Sequence, residues 1–204
     1  MKATGIVGLA LAAVLGVGMA DRAQSAGMGT DWQIDPAHST ASFAVKHMMV
    51  SNVRGNLGAV QGQAVYDGKH LPVASVTATI DAAGIDTHNA QRDQDLRSDQ
   101  FLDTKKYPTI TFKSTKFESN SDGLKVHGDL TIHGVTKPVV LLSDAPTTIV
   151  KDPWGHYRFG VSAHTSINRK DFGINYNKLL DNGGAIVADD VAIQLDVEMT
   201  QQAH

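Results

Sequence analysis

Residues 83–115 read AGIDTHNAQRDQDLRSDQFLDTKKYPTITFKST and hold the densest run of His, Asn, Arg and Asp in the chain. Neither Gly nor Pro interrupts Asn89 to Phe101, where Leu96 and Phe101 are the only large apolar side chains. That composition predicts a short polar helix with Asn89 as its N-cap. Its apolar stripe is too narrow for a core position, so the helix should lie over the end of a sheet, anchored by Leu96 and Phe101. Tyr107-Pro108 then stops it, and Thr109 to Phe117 restarts as a strand.

On both sides of this stretch the chain reads as strand after strand. Ala41, Phe43, Val45 and His47 alternate with Ser42, Ala44 and Lys46, and Val126, Leu130 and Ile132 alternate with His127, Asp129, Thr131 and His133. Val191 to Met199 shows the same period of two. Further candidate strands are 32–34, 56–67, 73–81, 109–118, 139–150 and 156–168, divided by Asp67-Gly68, Ser121-Asp122-Gly123, His133-Gly134 and Asp152-Pro153 turn signals. Eight or nine antiparallel strands with one apolar face each make an all-β barrel or sandwich, and pattern alone does not choose between them.

The first 26 residues read as a signal peptide, with Lys2 as the charged start, an apolar run from Ile6 to Met19, and small residues after it. Cleavage after Ala20, Ser25 or Ala26 fits equally, and the apolar run is short for a membrane span. The reading therefore expects a periplasmic or secreted protein without stable membrane insertion, one domain spanning 27–204. The chain has no Cys, which excludes a lipoprotein anchor, a disulfide framework and thiol catalysis. Removing residues 1–26 takes away Lys2, Arg22 and Asp21 and moves the net charge from -3 to -4, a mild acidity that argues against nucleic acid as a partner.

No nucleophile elbow, zinc-protease, P-loop or dinucleotide fingerprint occurs. His127 and His133 share a strand face but stand six residues apart, about 20 Å along an extended strand, too far for one metal ion. His47 differs, since its parity places it with Phe43 and Val45 on the interior side, as a core or pocket-lining group. Met48 and Met49 follow it, soft side chains suited to a pocket that adapts to a flexible chain. Arg92-Asp93 and Arg169-Lys170-Asp171 each place cation beside acid, either as structural clasps or as contacts for an anionic head group.

Several blocks together resemble the YceI-like family: Trp32 to Ser39, Phe43, His47-Met48, Val53-Arg54-Gly55, Gly84 to Asn89, Arg92-Asp93, Leu96-Arg97-Ser98, Phe101-Leu102-Asp103, Tyr107 to Phe112, Gly128 to Pro138 and Arg169 to Gly173. The resemblance runs from Trp32 through Val197. It implies an eight-stranded antiparallel lipocalin-like barrel, with the short helix near residues 89–101, that binds polyisoprenoids and similar amphiphiles. One departure stands out, because the family commonly places an aromatic after the Arg-Gly pair where this chain has Asn56-Leu57-Gly58.

Strand parity and the family motifs combine into one expectation. The apolar lining of the bore is Phe43, Val45, His47, Met48, Met49, Phe112, Leu130, Ile132, Phe159, Val161 and Phe172, and the head-group contacts are Arg54, His88, Asn89, Arg92 and Arg169. The ligand is a long-chain isoprenoid, a quinone or another amphiphilic lipid, reached near the helix-bearing segment, for transport, storage or stress protection. No cofactor, metal or catalytic residue is expected, and a homodimer is left open. Two other readings stand beside this one. An exported lipid- or quinone-modifying enzyme would use His88 or His47 as base with Asp86 or Asp93 as orienter, and a structural barrel would be filled by its own side chains, against which the 6% aromatic content weighs.

Overall fold

Among the described residues, eleven strands fill eight places around a closed antiparallel ring. A computed structural model describes residues 30–71, 74–120, 123–178 and 186–202; the proposed signal peptide lies outside the described residues. The strands are β1 (Asp31–Ile34), β2 (Thr40–His47), β3 (Ser51–Asn56), β4 (Val60–Val65), β5 (Ser75–Asp81), β6 (Thr109–Asn120), β7 (Gly123–Ile132), β8 (Val135–Ser143), β9 (Val150–Lys151), β10 (His156–Asn168) and β11 (Val187–Gln202). One α-helix, α1 (Ala90–Arg97), follows β5.

The long strand β11 explains the count. It pairs with β10 from Asn168↔Asp190 to His156↔Gln202, while its other edge takes β2 along its first part and β1 at Met199 and Thr200. β1 and β2 are thus one ring position, broken where Pro36 lacks an N–H and the Asp35 carboxylate accepts from Ala37 N–H. β3 and β4 form the next position, broken at Gly58. There φ is +133°, and a Cβ would lie 2.0 Å from the Asp81 carbonyl oxygen, so only glycine fits. The expected strand 56–67 therefore starts late, at Val60, and the expected strand 139–150 divides into β8 and β9.

Inside the ring the period of two holds. Leu124, Val126, Leu130 and Ile132 of β7 are buried, as are Ile193 and Met199 of β11. The ring closes through β8 and β10 over only two residue pairs, Ala163↔Ser143 and His164↔Leu142. Beyond them Thr165 Oγ1 donates to the Val140 carbonyl at 2.9 Å, and the 3-10 turn Arg169–Phe172 packs against β8 with Phe172 buried.

The two ends differ in chemistry. At one, Trp32 is fully buried, donates from Nε1 to the Tyr66 carbonyl at 2.8 Å and meets Phe159 edge-on at 4.6 Å between ring centroids. Tyr66 packs edge-on against the same Phe159. Outside this end Arg158 joins Asp35, Asp152 and Glu198 across three chain segments. The other end is crossed by α1 and the 3-10 turn. Asn89 caps α1, its Oδ1 accepting from Arg92 N–H at 3.0 Å, and Leu96 and Phe101 pack on the core as anchors.

Candidate functional site: an apolar cavity along the barrel

A cavity of about 280 Å³ runs inside the ring. On β7 its lining extends from Leu124 to Ile132, roughly 27 Å along the strand and about 20 Å along a barrel axis to which the strands tilt. Arg169 is the single ionisable group among the lining residues that carries a charge near neutral pH; the others are aliphatic or aromatic apart from a few hydroxyls such as Ser143, Thr111 and Thr165. The eight-strand ring sets this width, which suits one slender apolar ligand.

Seven of the expected lining residues face this space: Phe43, Val45, Phe112, Leu130, Ile132, Phe159 and Val161. Four do not. Phe172 is buried beside β8 and His47 is half-buried at the end of β2, paired with Val187 and Ser51, and neither lines the cavity. Met48 and Met49 form the β2–β3 turn and are 40% and 64% exposed. The inward parity of β2 ends at Val45, because the chain reverses two residues after His47 and turns the methionines outward. Sequence reasoning left out β11, whose Val191, Ile193, Leu195, Val197 and Met199 form a whole wall. Their alternation was plain in the sequence, and the same period-2 argument finds them.

The expected head-group residues do not gather at the cavity. Arg54 and His88 lie instead beside an external groove of about 730 Å³ over β2, β10 and β11, with Ser42, Ala44, His164 and Gln194. Asn89 serves as helix cap. Arg92 donates from Nε to Thr87 Oγ1 at 2.7 Å and from Nη2 to the Thr87 carbonyl at 2.9 Å. Asp93 accepts from the backbone N–H and the hydroxyl of the same Thr87, and these bonds hold its carboxyl below the usual carboxylate range against the opposing effect of burial. The two Arg–Asp loops accordingly close on their own neighbours, with no bond between them among the described residues.

Arg169 reaches the cavity, and every donor on it is engaged. Nε donates to Ala188 O at 3.0 Å, Nη1 to Ile174 O and Tyr176 O at 2.7 Å each, and Nη2 to Val187 O and Asp189 Oδ1. A guanidinium has five N–H groups, so none remains for a ligand. Burial pushes the Arg169 pKa down, opposed by the Asp189 charge. It is a clasp for residues 174–176 and 187–189, with Asp189 rather than Asp93 or Asp171 as its acid.

The residues of the enzyme reading sit apart from the bore. His88 and Asp86 face each other at 3.5 Å with both side chains exposed, and Asp93 is taken by Thr87. Among the described residues, Asp35, His38 and Glu198 bring three ligand-type atoms together, but the Arg158 guanidinium already bridges Asp35 and Glu198. A cation there would have to displace an arginine that three carboxylates hold far above its ordinary pKa.

The YceI-like domain profile matches residues 32–199. A UPF0312 protein of Vibrio cholerae is 37% identical over 177 residues, covering 85% of this chain and 89% of its own, and one of Pseudomonas aeruginosa is 35% identical over 192 residues, covering 93% and 97%. Among solved structures, a Campylobacter jejuni YceI protein superposes with a TM-score of 0.65 at 30% identity, covering 77% of this chain and 90% of that one. A polyisoprenoid binding domain from Saccharophagus degradans superposes at 0.60 with 14% identity over 85% and 98%, a likeness of fold. With the profile match spanning the whole ring of strands and the barrel superposing on such structures, this chain belongs to the YceI-like domain family.

Proposed function

We propose that the protein is an exported carrier that holds a long-chain isoprenoid, quinone or similar amphiphilic lipid in the bore of its barrel. The observation behind this reading is the cavity, closed round by eight strands and lined over its length by aliphatic and aromatic side chains. Each buried methylene stabilises a complex by about 0.8 kcal/mol, so a chain of about ten carbons supplies most of a micromolar affinity without any ionic contact. The related fold of a polyisoprenoid binding domain supports the ligand class. The apolar run at 6–19 supports export to the periplasm or beyond, and transport, storage and stress protection are the roles such a carrier would serve.

The bore selects tails, and the head group meets loops outside it. Arg169 is saturated by backbone carbonyls, so charge recognition inside the cavity is not part of this reading. Native mass spectrometry of the purified protein, paired with lipid analysis of an organic extract, tests the proposal. A stoichiometric isoprenoid, quinone or fatty adduct is expected. Bare protein that also takes up no added long-chain prenol would remove the carrier reading and leave a structural barrel in front.

A further inference from the structure

The turn between β2 and β3 places apolar residues where backbone geometry favours others. Met48 and Met49 have φ of 50° and 61°, and Val50 N–H donates to the His47 carbonyl at 3.0 Å across them. Two central residues with positive φ call for Asn or Gly. The β7–β8 turn at the same end meets the rule at its second position: His133 and Gly134 have φ of 51° and 74°, and the Tyr107 ring packs over them. Among the described residues no ring packs over the methionine turn in this way. Met49 is 64% and Val50 84% exposed, so the tip displays apolar surface on a backbone that disfavours it.

We propose that this tip docks the barrel onto a lipid bilayer, from which the cavity is loaded and to which it is unloaded, an inference that rests on the carrier reading. Position is the first argument. His47, next to the turn, pairs with Val187, which lines the cavity, and Val45 lines it two residues earlier. Size is the second. Three side chains fall far short of the roughly 800 Å² per partner that a stable protein interface buries, whereas entering the boundary between headgroups and acyl chains requires no complementary partner surface. The collar is the third. Lys46 and Arg54 are exposed and form no ion pair among the described residues; His47 separates Lys46 from the tip, and Ser51, Asn52 and Val53 separate Arg54 from it. Such cations remain with anionic headgroups while the methionines enter. A second exposed apolar residue in a turn, Trp154, precedes β10 at the opposite end, fifteen residues along β11 and roughly 50 Å away along the strand.

The test is co-sedimentation of the purified protein with vesicles of phosphatidylethanolamine and phosphatidylglycerol. The unaltered protein should sediment, and Met49→Asp/Val50→Asp should reduce its partitioning roughly tenfold or more. Met48→Asn/Met49→Gly gives a control for folding, since it should raise Tm by about 2–4 °C by relieving the turn and still weaken sedimentation several-fold. Trp154 fluorescence should not move on vesicle addition. Equal sedimentation of unaltered and Asp-substituted protein, absence of sedimentation altogether, or a blue shift of Trp154 would overturn the proposal. Uptake of detergent-solubilised prenol, followed by native mass spectrometry, should persist in both tip variants; its absence in the unaltered protein sinks the carrier reading on separate grounds from the vesicle result.

Discussion

The barrel is closed at its two ends by opposite means. At one end the closure is apolar, with Trp32 and Tyr66 packed edge-on against Phe159, and ion pairs only outside it. At the other end it is polar and buried, with Arg169 threaded among backbone carbonyls and Asp93 and Arg92 both bound to Thr87. An aromatic plug gains from burial without desolvating charge, whereas a buried guanidinium offsets its desolvation only through its full set of hydrogen bonds. The first arrangement stabilises the barrel as a whole. The second gives modest net energy and fixes one path for irregular chain that would otherwise leave carbonyls unpaired beside the lipid-sized bore.

Breaking the aromatic end should have the largest effect. Trp32→Ala removes a fully buried indole and its bond to Tyr66 O, and should destabilise by about 3–5 kcal/mol in urea unfolding. A loss under about 1 kcal/mol would mean that the plug is dispensable, contrary to the contrast drawn between the ends. At the polar end Arg169→Met keeps volume but strands the carbonyls of Ile174, Tyr176 and Ala188, at a cost of about 2–3 kcal/mol. Arg169→Lys should recover little, since an ammonium group cannot reach acceptors spread over five N–H directions. If lysine restored most of the stability, the clasp would be a matter of charge and not of hydrogen-bond geometry.

How legible each end was in the sequence follows from the range of its contacts. The strands of the wall obey a period of two, which is local, so Phe43, Leu130 and Phe159 could be placed inside before any pairing was known. Asn89 as cap and Leu96 and Phe101 as anchors were also local signals. The partners of Arg169 were not, because backbone carbonyls carry no residue identity and Asp189 lies twenty positions on. Met48 and Met49 failed for a related reason. Parity holds only while a strand continues, and nothing in Lys46-His47-Met48-Met49-Val50 marks a turn, since the Asn or Gly that would announce one is missing. Arg54, chosen with the head group, is on an outward position of β3, which the motif resemblance could not distinguish from an inward one.

The smallest expected effect sharpens the contrast through pH. Outside the aromatic end, the His38 and Arg158 bonds hold the Asp35 carboxyl down at about 2, and the Arg158 bond does the same for Asp152. A carboxyl depressed in the folded state contributes stability that is present above its unfolded value, near 4, and is lost as pH falls through its folded value. The window for these two groups is therefore about pH 4 down to about 2. His38 has the reverse sign: Asp35 raises its pKa, so its share is full below about 6.5 and fades as pH rises through the folded value, and its exposure keeps that share small. Arg158→Met leaves Asp35 and Asp152 without their cation, so in the folded protein both protonate at higher pH than they do beside it. Tm measured from pH 8 to pH 2 should show Arg158→Met less stable near neutral pH and declining less steeply than the unaltered protein between about pH 4 and about 2, so that the two curves converge as the carboxyls take up protons. Acid limbs that superimpose throughout would show that Arg158 does not govern these carboxyls, and the ion pairs outside the aromatic end would then count as surface contacts of little weight.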